Sequence, residues 1–138
     1  MTGLVVCVAV LAGASVFGLV HRARSGRIRV RGKDGARRLT AGDIGAPLGE
    51  RATLVQFSSA FCSPCRATRR TLAEVAGLVE GVTHVEIDAE QHLELVRELS
   101  IVKTPTVLVL DGTGAEVRRA AGQPRKADVI AALGAAVG

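Results

Sequence analysis

Hydrophobic and polar positions divide the chain into three stretches. From Thr2 to Val20 no side chain ionises except the Cys7 thiol, and Leu, Val, Ala, Gly and Phe17 dominate the run. Nineteen residues at ~1.5 Å rise each nearly span a ~30 Å hydrocarbon core, so residues 1–20 are expected to form a single transmembrane helix. Residues 21–38 are rich in Arg and Lys, broken by Gly26, Gly32 and Gly35, and read as a flexible basic linker. From residue 39 to 138 the apolar positions recur with two periods, which predicts one α/β domain.

Within that domain, Thr53 to Ser58 is a short apolar run suited to a central strand. Between Ala67 and Glu80, Leu72, Val75, Ala76 and Val79 recur at three- and four-residue steps, an amphipathic helix with Arg66, Arg69 and Arg70 on its basic face. Gly81 ends it. Val82 to Ile87 alternates as a strand, Leu93 to Leu99 gives a short helix, and Thr106 to Leu110 is a strongly apolar strand. Asp111-Gly112-Thr113-Gly114 is a hairpin turn leading into a strand over Glu116 to Ala120, and Pro124 to Val137 closes as a helix. The order β-α-β-α-β-β-α implies a mixed sheet, a parallel pair followed by an antiparallel hairpin, with helices on both faces.

Composition sharpens this picture in two places. The chain of 138 residues has no Trp, no Tyr and three Phe, leaving few flat rings to stack on bases, so nucleic acid is not an expected partner. The net charge of +5 is local: eight Arg or Lys fall between Arg22 and Arg38, with Asp34 the one acid among them. That cluster follows the apolar segment directly and no Lys or Arg precedes it, which predicts a domain retained on the cytoplasmic side, its linker also suited to anionic headgroups of the lipid bilayer. A cleaved signal peptide is the competing reading, but the small-x-small sites around Ala12 to Ala14 lie inside the apolar run. Cys7 reads as a small hydrophobe within the anchor.

The candidate chemistry sits at Cys62-Ser63-Pro64-Cys65, where the first strong strand gives way to the first strong helix. A thiol at a helix N-terminus meets unpaired N–H groups and the positive end of the dipole, which lower its pKa from ~8.5. Cys62 is therefore the expected nucleophile, and Cys65, reached across a two-residue spacer, resolves the mixed disulfide. Pro64 falls in the first turn, where its missing N–H costs nothing, and Ser63 is small and offers a hydroxyl. Half of a zinc site has the same spacing, but the domain offers only His84 and His92 as further soft ligands, unpaired in sequence, so no metal is expected. A purely structural bridge over so short a loop restrains little chain entropy.

The run Phe57-Ser58-Ser59-Ala60-Phe61-Cys62-Ser63-Pro64-Cys65-Arg66, with Thr104-Pro105-Thr106-Val107 forty residues after Cys65 and Gly114-Ala115-Glu116-Val117 and Gly122 beyond, resembles the thioredoxin family. The resemblance runs from roughly Leu54 to the C-terminus. It implies a thioredoxin-like fold, a cis bond before Pro105, and a main chain at Thr104 that docks substrate as an added strand. It also implies protein disulfide substrates, an electron-donating reductase and no bound cofactor, in a chain expected to act as a monomer. Where the family carries Trp before the first Cys, this chain has Phe61, a change within apolar cover. Gln56 replaces the buried Asp behind the site and cannot serve as a base. His84 aligns approximately with the family's partner Lys and could titrate, and Arg70 replaces the Pro that kinks the helix. These departures, with the anchor, point to a specialised membrane-bound reductase. Two alternatives stay open: an outward-facing protein serving cytochrome c maturation or envelope disulfide turnover, and a non-catalytic binding module on the same fold.

Overall fold

The computed structural model describes residues 1–24, 28–30 and 38–137. In chain order its elements are α1 (Thr2–Arg24), β1 (Ile28–Val30), α2 (Ala41–Ile44), β2 (Ala52–Ser58), α3 (Ser63–Leu78), β3 (Val82–Asp88), a 3-10 turn (Ala89–Gln91), α4 (Leu93–Glu98), β4 (Thr106–Asp111), β5 (Glu116–Ala121) and α5 (Lys126–Val137). The sheet runs β1-β5-β4-β2-β3, with β2 and β3 parallel and the other neighbours antiparallel. This is the mixed, helix-flanked sheet of the thioredoxin-like fold.

β2 is buried at every residue, as an interior strand covered on both faces must be. Its alternation sorts the core into two layers. Val55 and Phe57 join Val85, Ile87, Leu108 and Leu110 against Leu39 and Ile44 of the α2 region and Leu95 of α4. Ala52 and Leu54 join Val107 and Val109 against Leu72 and Val75 of α3 and Val129, Ala132 and Leu133 of α5. The β4–β5 turn is closed by one carboxylate: Asp111 accepts from the Thr113 N–H at 2.9 Å, the Thr113 hydroxyl at 2.6 Å and the Ala115 N–H at 3.1 Å. Partial burial pushes the Asp111 carboxyl upward, but those three donors with Arg38 outweigh it and hold the group below its ordinary range.

The N-terminal part of the domain differs from the sequence expectation. Ile28–Val30, inside the stretch expected to be linker, forms the edge strand β1 along β5. Three residues are too few for periodicity to separate from a basic coil. The linker glycines Gly26, Gly32 and Gly35 lie outside the described residues. α2 was also not expected. It is one turn long, but Thr40 and Asp43 form a reciprocal capping box at its start, and Gly45 closes it at φ 72°. Leu39 donates its N–H to the Gly114 carbonyl at 2.9 Å, fastening this arm to the β4–β5 turn. α3 begins four residues earlier than its apolar period suggested, at Ser63, and runs unbroken through Arg70.

Candidate active site

The connection from β2 to α3 decides where the cysteines stand. β2 ends at Ser58, and the chain turns through Phe61, which adopts φ 59°, a left-handed backbone uncommon for a bulky side chain. Its ring is not packed over the sulfurs and is fully exposed. Cys62 then caps α3: its Sγ accepts the Cys65 N–H at 3.2 Å, the place a Ser or Asp oxygen takes in an ordinary N-cap. Cys62 and Cys65 are joined as a disulfide with their Cα atoms 5.2 Å apart. Cys65 is 1% exposed, whereas Cys62 is partly open to solvent. Ser63 and Pro64 are exposed in the first turn, the Pro64 carbonyl accepting the Thr68 hydroxyl at 2.8 Å.

Thr104 and Pro105 precede β4, whose first residue Thr106 lies opposite Phe57 near the end of β2. The Thr104–Pro105 bond is cis. The Thr104 and Ser59 hydroxyls share a hydrogen bond of 2.8 Å, joining this loop to the one that leads into the cysteines, and the Pro105 carbonyl accepts the Gly122 N–H at 2.7 Å. Beside Thr104 opens a shallow groove of about 250 Å³ lined by Leu93, Val96, Ile101 and Val102.

Behind the buried cysteine lies a polar chain that sequence reasoning did not assemble. Gln56 follows Ala52 and Leu54 on the α3-facing side of β2 and is fully buried there. Its amide Nε2 donates to the Cys65 carbonyl at 2.8 Å and to Ser58 Oγ at 2.9 Å. Ser58 in turn donates to Glu86 Oε2 at 3.1 Å, and Arg69 of α3 donates to the same oxygen at 2.8 Å. The Cys65 carbonyl can only accept, which fixes the orientation of the Gln56 amide. Gln56 Oε1 is then an acceptor, so His84, 3.1 Å away, must present Nε2–H to it. Burial pushes the His84 imidazole below its ordinary pKa; Glu86 opposes and Arg69 reinforces that shift. The donors are thus ordered from His84 through Gln56 to Cys65, and from Gln56 through Ser58 to Glu86. The bond that this polar chain makes to Cys65 is at its carbonyl, and the amide of Gln56 cannot serve as a base for the sulfur. The strand period of β2 was the available signal, since it places Gln56 beneath the start of α3. The positions of His84 and Glu86 required the β2–β3 register, in which Leu54 pairs with His84 and Gln56 with Glu86.

Comparison with known proteins agrees with this architecture. Residues 46–137 match the family model described as a thioredoxin-like domain. The chain is 40% identical over 58 residues to thioredoxin domain-containing protein 2 of Homo sapiens, covering 42% of this chain and 10% of that protein. It is 31% identical over 78 residues to the bifunctional thioredoxin reductase/thioredoxin of Mycobacterium leprae, covering 56% and 17%. It therefore spans a small part of the length of these two relatives. The thioredoxin of Mycoplasma genitalium is 27% identical over 77 residues, covering 56% of this chain and 74% of that one. Among solved structures, Fasciola hepatica thioredoxin superposes with a TM-score of 0.56 at 23% identity, covering 64% of this chain and 83% of its own. Spinach chloroplast thioredoxin f gives 0.58 at 22% identity, covering 65% and 80%. At such identity the structural likeness is one of fold, and with the family match over residues 46–137 it leads to one conclusion: this chain belongs to the family of thioredoxin-like domains.

Proposed function

We propose that this protein is a membrane-tethered thiol-disulfide oxidoreductase that reduces protein disulfides through Cys62 and Cys65. One observation carries the reading: Cys62 caps α3 with its own sulfur, receiving the Cys65 N–H at 3.2 Å, while Cys65 is buried behind it. In the reduced protein that N–H and the helix N-terminus favour a thiolate on the accessible sulfur. The Cys62 thiolate attacks a substrate disulfide, forms a mixed disulfide and expels one substrate thiolate. Cys65 loses its proton and attacks Cys62 Sγ, which expels the second substrate thiolate and leaves the Cys62–Cys65 disulfide. The dithiol has then passed two electrons to the substrate. Gln56 offers no base at Cys65, so the proton leaves to the departing substrate thiolate or to solvent.

Substrate docking is assigned to Thr104 and Pro105. Among the described residues neither main-chain group of Thr104 pairs with another backbone group, which supports strand-like addition of a substrate segment there. Ser63, Pro64 and Phe61 form the rim. A dithiol reductase regenerates the pair, a role supported by the M. leprae relative, whose name joins thioredoxin reductase with thioredoxin. For the tether, the largely apolar helical span Thr2–Ala23, 22 residues, rises ~33 Å, enough to cross a bilayer. The basic residues that follow support a cytoplasmic domain.

The test is insulin reduction by the purified full chain. The wild-type protein is expected to be active, Cys62→Ser inactive, and Cys65→Ser to accumulate mixed disulfides. Wild-type protein no more active than Cys62→Ser would sink the reading in favour of a binding module. Labelling of Cys62→Ser and wild-type cells with a membrane-impermeant thiol reagent tests the side: Cys62 labelled in intact cells would place the domain outside.

A further inference from the structure

The end of the sheet at which the chain leaves α1 constrains what the site can reach. Residues 25–27 alone separate Arg24, the last residue of α1, from Ile28, the first of β1. Four Cα-to-Cα steps of 3.8 Å bound that separation at ~15 Å. The register then locates Ile28. It lies opposite Ala120 of β5, Ala120 lies opposite Val107 of β4, and Val107 lies opposite Gln56 of β2. Gln56 is the residue whose amide holds the Cys65 carbonyl. Val30 lies on the row of Arg118, Val109 and Leu54, two residues farther from the cysteines. β1 therefore starts on the Gln56 row, two residues (~7 Å) short of Ser58, where β2 ends toward Cys62, Cys65, Thr104 and Pro105, and it runs away from that end. From β1 to β2 is three strand spacings, ~14 Å.

From this connectivity we infer that the active end of the domain faces the bilayer and that its substrates are disulfides of integral membrane proteins lying in or next to the headgroup layer. The inference rests on the reading of α1 as a membrane span. Had the chain entered β1 at its other end, the entry point would lie two residues, ~7 Å, farther from the cysteines, and the approach would come from the opposite end of the sheet. A second observation fits the same partner. Phe61, beside Cys62, is 101% exposed and Val102, beside the Thr104 loop, is 88% exposed. Two unpacked apolar side chains flanking the sulfurs are costly in water and are covered when the tip meets an apolar-rimmed protein surface at the membrane. Arg66 and Arg70, exposed on α3, add positive charge suited to anionic headgroups.

The test uses the full chain reconstituted in vesicles of phosphatidylcholine and phosphatidylglycerol doped with a lipid bearing a nitroxide on its headgroup. A bimane reporter is placed on Cys62 in a Cys7→Ser, Cys65→Ser background, and separately at Thr113→Cys with Cys7, Cys62 and Cys65 changed to Ser. Thr113 lies in the β4–β5 turn, at the opposite end of the sheet. Quenching is expected to be at least about threefold stronger at Cys62, since ~20 Å separates the two ends. Equal or reversed quenching in protein that stays with the vesicles through an alkaline wash overturns the orientation and leaves the anchor standing. Loss of the protein in that wash overturns the anchor, and the inference with it. A phosphatidylethanolamine carrying a pyridyl disulfide on its headgroup then probes the substrate class through release of pyridine-2-thione by the reduced protein. Release from the protein's own vesicle is expected to be at least about tenfold faster than from separate vesicles, as co-confinement raises effective concentration. Equal rates would refute a preference for membrane-borne disulfides.

Discussion

The two faces of β2 are built from one strand and end in different chemistry. Toward α2 and α4, Val55 and Phe57 meet Ile87, Leu108 and Leu110 in an apolar cluster, and the buried polar groups of that face, Thr53, Thr106 and the Glu116–Arg119 ion pair, lie at its margins away from Cys65. Toward α3 and α5, Ala52 and Leu54 begin in the same way, but Gln56 and Ser58 follow and draw in His84, Glu86 and Arg69. The polar half is confined to the residues beneath the first turns of α3, where Cys65 sits. A buried polar group is stable only with its partners made, and every buried side-chain polar atom among the described residues has one. The contrast teaches that the apolar face holds the fold together, while the polar end of the other face sets where the cysteine-bearing turn lies.

The largest effect should come from the apolar side. Phe57→Ala removes a fully buried ring from between α2, α4 and the sheet and should cost about 3–5 kcal/mol in denaturant unfolding of the oxidised protein. A loss near that for an exposed residue would mean that this face is not the main core. Next comes Gln56→Leu, which keeps the volume but strips two donors and one acceptor from the polar end. It should cost about 1–3 kcal/mol, because Ser58 and His84 lose buried partners. Quench-flow of mixed-disulfide resolution should also show Cys65 reacting more slowly, since the turn that aims its sulfur is no longer held. An unchanged resolution rate would reduce Gln56 to packing.

Much of this division could be read in the residues, and the rest could not. The β2 period, the helix after Cys62 and the Asp111–Gly114 turn are local patterns, each decided within a few residues. So was the resemblance to thioredoxins. β1 and α2 escaped because three and four residues carry no period, and their stability comes from pairing with β5 and fastening at Gly114. Gln56 was legible as the absence of a base, but not as a donor to Cys65, since that role depends on how far a side chain reaches across packed elements. His84 was legible through its alignment with the family's partner Lys, but its bond to Gln56 and the place of Glu86 needed the strand register, which single-sequence periodicity leaves free.

A smaller effect is expected where the polar chain meets solvent. Glu86→Gln keeps an acceptor for Ser58 but ends the ion pair with Arg69, whose side chains are 31% and 50% exposed. The loss should be about 0.2–1 kcal/mol and should shrink as salt is added. A salt-independent loss would show that Glu86 acts mainly through Ser58.

The smallest effect, and the one that separates charge from hydrogen bonding in the polar face, belongs to His84. Its imidazole is held below the ordinary value by burial first, with Arg69 in the same direction and Glu86 against. The unfolded chain therefore binds a proton at His84 more readily than the folded one, and stability must rise with pH across the interval between the two values. Falling pH brings the penalty in as it passes the unfolded value near 6.5 and completes it below the folded one. The bond to Gln56 survives this titration, because Nε2 carries its hydrogen in both charge states. His84→Gln can donate to Gln56 but cannot charge, so its unfolding curves at pH 5 and pH 7.5 should lie closer together than those of the wild type. An identical pH dependence in the two proteins would assign the acid sensitivity elsewhere and leave His84 as a neutral hydrogen-bond donor on the polar face.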